Sequence, residues 1–326
     1  MQPKIKMEIE LEIRERLDGQ KNIEAVIAMG SCARDEETYF TNASGRTEML
    51  SDYEMLIVVH DLSNTEPISQ VLMGIRSKFQ ARSSSPCFDI EWSYKSISEV
   101  RRLDRRFIFF EAKESGHVIY GNKDIFSQFP DITVNNLNYS ELNTVILHRL
   151  YHVLRDCSIA DEHYQKYLIA RNTLDIPTAV LPLMGYLEGS YRKRNLLFRR
   201  TADKTCFPDE FLDRLDNYLR MKLDYSSDLY DCYDLKQMKL NFLMDFQVLY
   251  SFQKQHQNGI AFRRSTRQML SGFYRCKPGR IYEAIIWPKK MTALCDKMFS
   301  CLENGCWDAA LLADIRNEME ACFGYQ

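Results

Sequence analysis

The sequence predicts an α+β protein: a strand-bearing domain over residues 1–135 followed by an all-helical domain over residues 136–326. Two observations carry this. Short apolar runs bounded by turn residues are confined to the first part, and long patterns of helical period fill the second. A third is the change of character after "FPDITVNN", beyond which almost no strand signal remains.

The elements follow in order. Ile5, Ile9, Ile13 and Leu17 share helical spacing among strong helix formers, which predicts a helix ending near Gly19. "IEAVIAMG" reads as a short strand ending in Gly30, and residues 34–50, with Thr41, Asn42, Ser44 and Gly45, as a loop. "YEMLIVVHD" is a second strand. "EPISQVLMGIRSKFQAR" is a helix with an apolar stripe of Ile68, Leu72, Ile75 and Phe79. "SSSP" breaks it, and "CFDIEWSYK" is a third strand. "SISEVRRLDRRFIFFEAKESG" reads as one helix, with "HVIYGN" a short strand or turn after it. In the second domain the helical patterns include "SELNTVILHRLYHVLRDC", "DEHYQKYLIARNTLDIPTAVLPLMGYL", "DEFLDRLDNYLRMKL" and "DLKQMKLNFLMDFQVLYSFQKQ", and Pro177 and Pro182 break the second of these.

Composition narrows the function classes. The chain has 326 residues, 45% hydrophobic and 27% charged, enough for a sizeable core. A net charge of −2 argues against a constitutive nucleic-acid coat protein. No apolar run approaches the roughly 20 residues that span a bilayer, so no membrane partner is expected. The opening segment alternates charge with apolar residues and is not read as a secretory signal. Ten scattered cysteines form no C-x-x-C pair and read as free thiols of a reducing cytoplasm, the expected location. His148 and His152, with His163 nearby, lack a third ligand at metal spacing and read as helical residues.

The chemistry concentrates in two strands and one turn. In "SDYEMLIVV", alternation aims Asp52 and Glu54 at one face and Tyr53 at the other. Two carboxylates so placed repel unless a cation lies between them, and a divalent metal is the natural candidate. Asp89 and Glu91 share a face of the third strand in the same way. Gly30 and Ser31, where the first strand turns into "CARDEE", offer backbone N–H groups and a hydroxyl to phosphate. Three or four carboxylates beside such a cradle suit Mg²⁺, or Mn²⁺ in its place, which takes oxygen ligands and bridges phosphates.

"GSCARDEE…SDYEMLIVV…FDIEW" resembles the signature of the DNA polymerase β-like nucleotidyltransferase superfamily, particularly its small-molecule and minimal members, over roughly residues 20–95. The resemblance implies a mixed-sheet nucleotidyltransferase core and a helical domain that closes the nucleotide cleft. It places Asp52 and Glu54, with Asp89 or Glu91 as the third acid, on the metals, and Gly30 and Ser31 on the phosphates of a nucleoside triphosphate. Asp89 is preferred as third ligand for its flanking Phe88 and Ile90; Glu91 is then a candidate general base for the acceptor hydroxyl. Arg34 is placed either on phosphate or at the surface. Lys166 and Arg171 occupy the place where related enzymes set a basic residue against the triphosphate, or else a solvated helix face. "SYRKRNLLFRR" is a basic cluster for an acidic acceptor, nucleic acid or solvent. The expected activity is transfer of a nucleoside monophosphate from a triphosphate to a hydroxyl of a small molecule or sugar, with release of pyrophosphate. Modification of a protein or RNA, as in a toxin–antitoxin pair, and a non-catalytic nucleotide-binding module are the alternatives.

Overall fold

The computed structural model describes residues 4–42, 44–85, 88–138, 142, 149 and 161–256. His148 and His152, the pattern "SELNTVILHRLYHVLRDC" but for Leu142 and Arg149, the cysteines at 87, 157, 276, 295, 301, 306 and 322, and the chain beyond residue 256 lie outside the described residues. The chain is α+β, with a four-stranded mixed sheet and a helical C-terminal part. It divides into two compact units. The first comprises Met1–Asn138 with two later stretches, Leu187–Leu196 and Leu219–Leu229.

The first unit runs α1 (Lys4–Leu17), β1 (Ile23–Met29), α2 (Gly30–Ala33), β2 (Tyr39–Thr41), β3 (Thr47–Met49), β4 (Tyr53–Val59), α3 (Glu66–Gln80), β5 (Ile90–Ser96), α4 (Ile97–Val100), α5 (Phe107–Ser115) and β6 (His117–Gly121). The sheet order is β5-β4-β1-β6, with β1 antiparallel to both β4 and β6, and β4 parallel to β5. Ile5, Ile9, Ile13 and Leu17 of α1 and the Ile68, Leu72, Ile75 and Phe79 stripe of α3 pack in one core with Tyr53, Met55, Ile57 and Val59. The intervening Leu56 and Val58 are buried as well, and α4 and α5 lie against β4 and β1. A strand covered on both faces needs an unbroken apolar run, which is what "MLIVV" supplies.

Two expectations are corrected. The loop at 34–50 contains the hairpin β2–β3, with Asn42 N donating to Arg46 O at 2.9 Å and Gly45 in the left-handed region at its tip. Three-residue strands are too short to show alternation, so only their turn residues were legible. The stretch 96–116, read as helical, holds two helices. A Ser96–Glu99 capping box starts α4, and the chain leaves helical geometry through Arg101–Arg106. A continuous helix would set Arg101 against Arg105 and Arg102 against Arg106 at four-residue spacing, where like charges repel.

Of the second unit, α6 (Glu162–Thr173) begins where the Asp161 carboxylate accepts from Tyr164 N at 3.1 Å. It ends before α7 (Ile176–Val180), whose second residue is Pro177, and a 3-10 turn holding Pro182 follows. The break at the prolines is as expected. Then come α8 (Tyr191–Arg200), α9 (Asp209–Leu223), α10 (Leu229–Cys232) and α11 (Leu235–His256). The start of α8 and the end of α9 belong to the first unit. Phe198, Phe207 and Phe211 form a buried aromatic group in the second, and α11 packs on α6 and α7.

Candidate active site

The sheet register brings the sequence motifs to one end of the sheet. Because β1 and β4 are antiparallel, the end of β1 lies beside the start of β4, and Met29 is the register partner of Glu54. Because β4 and β5 are parallel, their starts lie together, and Glu54 is the partner of Glu91. Gly30, Ser31, Asp52, Glu54 and Glu91 thus share one end. Tyr53 points into the core, where its hydroxyl donates to Glu10 at 3.1 Å. Asp52 and Glu54 are half-buried on the other side, and Glu91 is exposed on the edge strand.

Gly30 has φ +67, a conformation that glycine adopts without steric cost. It is also where a β-carbon would collide with the Glu54 carboxylate. The missing side chain therefore lets an acid stand against the backbone of the turn. Cys32, fully buried, donates its thiol to Asp52 O at 3.3 Å and so ties the turn to the start of β4. Burial pushes that thiol well above its ordinary range.

The turn is gripped by buried charges that the sequence did not single out. Ser31 O accepts from Arg34 N and Glu36 N at 3.1 and 3.0 Å. Lys6 of α1 donates to Cys32 O and to the Asp35 carboxylate. Burial works against its ammonium, yet Asp35 and Glu37 hold its pKa above the ordinary value. The Glu36 carboxylate accepts from Ser190 Oγ at 2.7 Å and from the backbone N–H groups of Tyr191 and Arg192 at 3.0 Å each, capping the start of α8. Burial would raise its pKa, but these donors hold it below the ordinary carboxylate range. The faint sequence signal for Lys6 was its place next to the Ile5–Ile9–Ile13 stripe. Glu36 gave none, because the groups it caps at the start of α8 are more than 150 residues away.

Two expected site residues are placed otherwise, and a third lies in the second unit. Arg34 does not reach toward phosphate: its guanidinium is buried between Glu36 at 3.0 Å and Glu111 at 3.2 Å, and lies over the Tyr191 ring. Glu111 in turn meets the buried Arg194 at 3.2 Å, so the four charges neutralise one another inside the first unit. Asp89 precedes β5, so strand alternation does not govern it. Its carboxylate accepts from Arg76 and from Gln80 of α3, on the side of the core helices. Its backbone carbonyl accepts from Tyr53 N at 2.8 Å. Lys166 belongs to the second unit, where its ammonium donates to Tyr230 O at 3.0 Å and pairs with Glu162 at 2.8 Å.

The approach to β5 is built by another buried acid. Glu48 of β3 accepts from Ser84 N at 2.5 Å, from Ser84 Oγ at 3.0 Å and from Asn42 at 2.6 Å. Burial opposes its charge, and these donors hold its pKa below the usual range. The hairpin thereby fixes the serine loop that leads into the acidic strand.

Among the described residues, no group of three or more His, Cys, Asp and Glu side chains stands assembled to hold a metal ion. The donor set at the sheet end is nonetheless all oxygen, as Mg²⁺ requires. Glu54 lies in the space a Gly30 side chain would fill, beside the backbone of the turn. Among the described residues no helix is long and apolar enough to cross a membrane. No protein-family model and no curated protein matches the chain.

Proposed function

We propose that the first unit is a Mg²⁺-dependent nucleotidyltransferase core that moves a nucleoside monophosphate from a triphosphate to a hydroxyl of a small molecule or sugar. The observation that carries this reading is the register Met29–Glu54–Glu91, which sets the Gly-Ser turn and the acids of two strands at one sheet end. The resemblance of "GSCARDEE…SDYEMLIVV…FDIEW" to the polymerase β-like superfamily supports it.

In this reading Asp52 and Glu54 would hold Mg²⁺, or Mn²⁺. The ion, when bound, offsets the charge of the phosphates and of the departing pyrophosphate. Gly30 and Ser31 present backbone N–H groups and a hydroxyl to the triphosphate. The acceptor oxygen bonds to the α-phosphorus as the bond from that phosphorus to the bridging oxygen of the β-phosphate breaks. Pyrophosphate leaves with that electron pair. The acceptor's proton passes to the Glu91 carboxylate, the exposed acid beside Glu54. Asp89, held by Arg76 and Gln80, keeps the start of β5 in place instead of serving as third ligand.

The test is pyrophosphate release from each of four nucleoside triphosphates with Mg²⁺ and a metabolite extract, followed by the mass of the modified acceptor. A non-catalytic nucleotide-binding module is the second reading, favoured by the absence of an assembled three-acid group among the described residues. Triphosphate binding without pyrophosphate release would select it.

A further inference from the structure

We infer that Lys6 is a positioning residue for the Gly30–Ser31 turn, a role that rests on the nucleotide reading above. Lysine is almost never buried unless paired, yet Lys6 is only 4% exposed. Its ammonium leaves α1 and enters the turn from the core side. It donates to Cys32 O at 2.5 Å and to Asp35 Oδ1 at 2.6 Å, and stands 3.7 Å from Glu37.

What it holds is a strained piece of chain. Asp35 has φ +53, the one positive φ outside glycine among the described residues. An aspartate pays a steric cost there that glycine does not. Four residues earlier, Ser31 O receives two backbone donors, from Arg34 and Glu36, so the segment folds back on itself. The Lys6 contacts at Cys32 and Asp35 fall within that fold-back. Without the ammonium, Cys32 O loses its buried donor and Asp35 loses the partner that offsets its strain. The turn then relaxes, and its N–H groups no longer converge. Lys6 itself touches no phosphate in this scheme. Its effect on triphosphate passes through the shape of the turn, so it belongs to binding rather than to the chemical step.

The test uses the full chain, the triphosphate that the wild type turns over, and three variants. Lys6→Met removes the ammonium. Lys6→Met with Glu37→Gln also removes the buried carboxylate that has lost its cation, which guards against a simple failure to fold. Asp35→Gly keeps the positive φ without strain and deletes the other partner. Folded Lys6→Met variants are expected to raise KM for the triphosphate by about tenfold or more with kcat nearly unchanged, whereas Asp35→Gly, which relieves the strain and keeps the Lys6–Cys32 bond, is expected to hold a KM close to wild type. Hydrogen exchange is expected to quicken at the Arg34 and Glu36 amides and not at Ile27 or Leu56. A folded Lys6→Met/Glu37→Gln protein with wild-type KM and wild-type protection at those amides overturns the role of Lys6 alone. A wild type that neither binds nor turns over any of the four triphosphates overturns the nucleotide reading, and the role with it.

Discussion

Glu54 and Glu91 are register partners on adjacent parallel strands, while Asp89, two residues before Glu91, is bonded to Arg76 on a core helix. Two acids of one short motif therefore part company, one toward the sheet end and one toward the polar flank of α3. Glu91→Gln is expected to retain Mg²⁺-dependent triphosphate binding and to lose turnover. Asp89→Asn is expected to retain turnover and to lose about 1 kcal/mol of stability, since Arg76 is partly exposed and its pairing is screened. Steady-state kinetics with calorimetric titration separates the two. The reverse pattern would make Asp89 the functional acid.

Gly30→Ala is expected to fail for two reasons at once. A left-handed alanine costs about 1–2 kcal/mol, and its β-carbon would meet the Glu54 carboxylate. The carboxylate must move, so triphosphate affinity should fall more than stability does. Urea unfolding beside triphosphate titration checks this; a folded Gly30→Ala protein with unchanged affinity would remove the turn from the site.

How far these relationships were legible varies by residue. The α1 and α3 stripes, the apolar strands and the Gly-Ser turn each announce themselves within a few residues, because period and turn chemistry are local. Asp89 does not, because alternation holds only inside a strand and Asp89 lies one residue outside β5. Arg34 was open to a phosphate or a surface role from its place beside Gly-Ser, and takes neither, because its partners Glu36, Glu111 and Tyr191 lie on three separate stretches of chain. The assignment of Leu187–Leu196 and Leu219–Leu229 to the first unit has the same origin. Ser190, Tyr191, Arg192 and Lys222 bond to Glu36 and Thr38 across long separations that no local pattern encodes.

Glu36→Ala is expected to destabilise the first unit by about 3–5 kcal/mol, as for a buried ion network left with an unpaired charge. The buried carboxylate caps α8 and pairs with Arg34. Its folded pKa is depressed, so its contribution is present above the ordinary range and is lost as pH falls through the folded value. Urea unfolding of wild type and variant should therefore differ most near neutral pH and converge in acid. A fragment ending at residue 138, which lacks the α8 start and Lys222, is expected not to fold.

Asp245 of α11 behaves in the opposite sense. Burial outweighs its 2.6 Å pairing with Arg214 and pushes its carboxyl from 3.8 up to about 7. The folded chain thus keeps a proton that the unfolded chain has lost between those two values. Stability from this group is fully present below 3.8, falls as pH rises toward about 7, and is level beyond. Asp245→Asn removes that slope, so wild type should lose stability relative to the variant as pH rises from 3.8 to about 7, on the order of a kcal/mol or more. Parallel pH dependences in the two proteins would show that Asp245 is ionised throughout.

Pyrophosphate release by the full chain with Mg²⁺, each of four nucleoside triphosphates and a metabolite extract, compared between wild type and Asp52→Asn, bears most directly on the proposed chemistry. The wild type is expected to release pyrophosphate with at least one triphosphate, and Asp52→Asn to be slower by about two orders of magnitude with unchanged melting. Equal rates in the two proteins, or no release by the wild type from any triphosphate, would contradict a nucleotidyltransferase built on this sheet end.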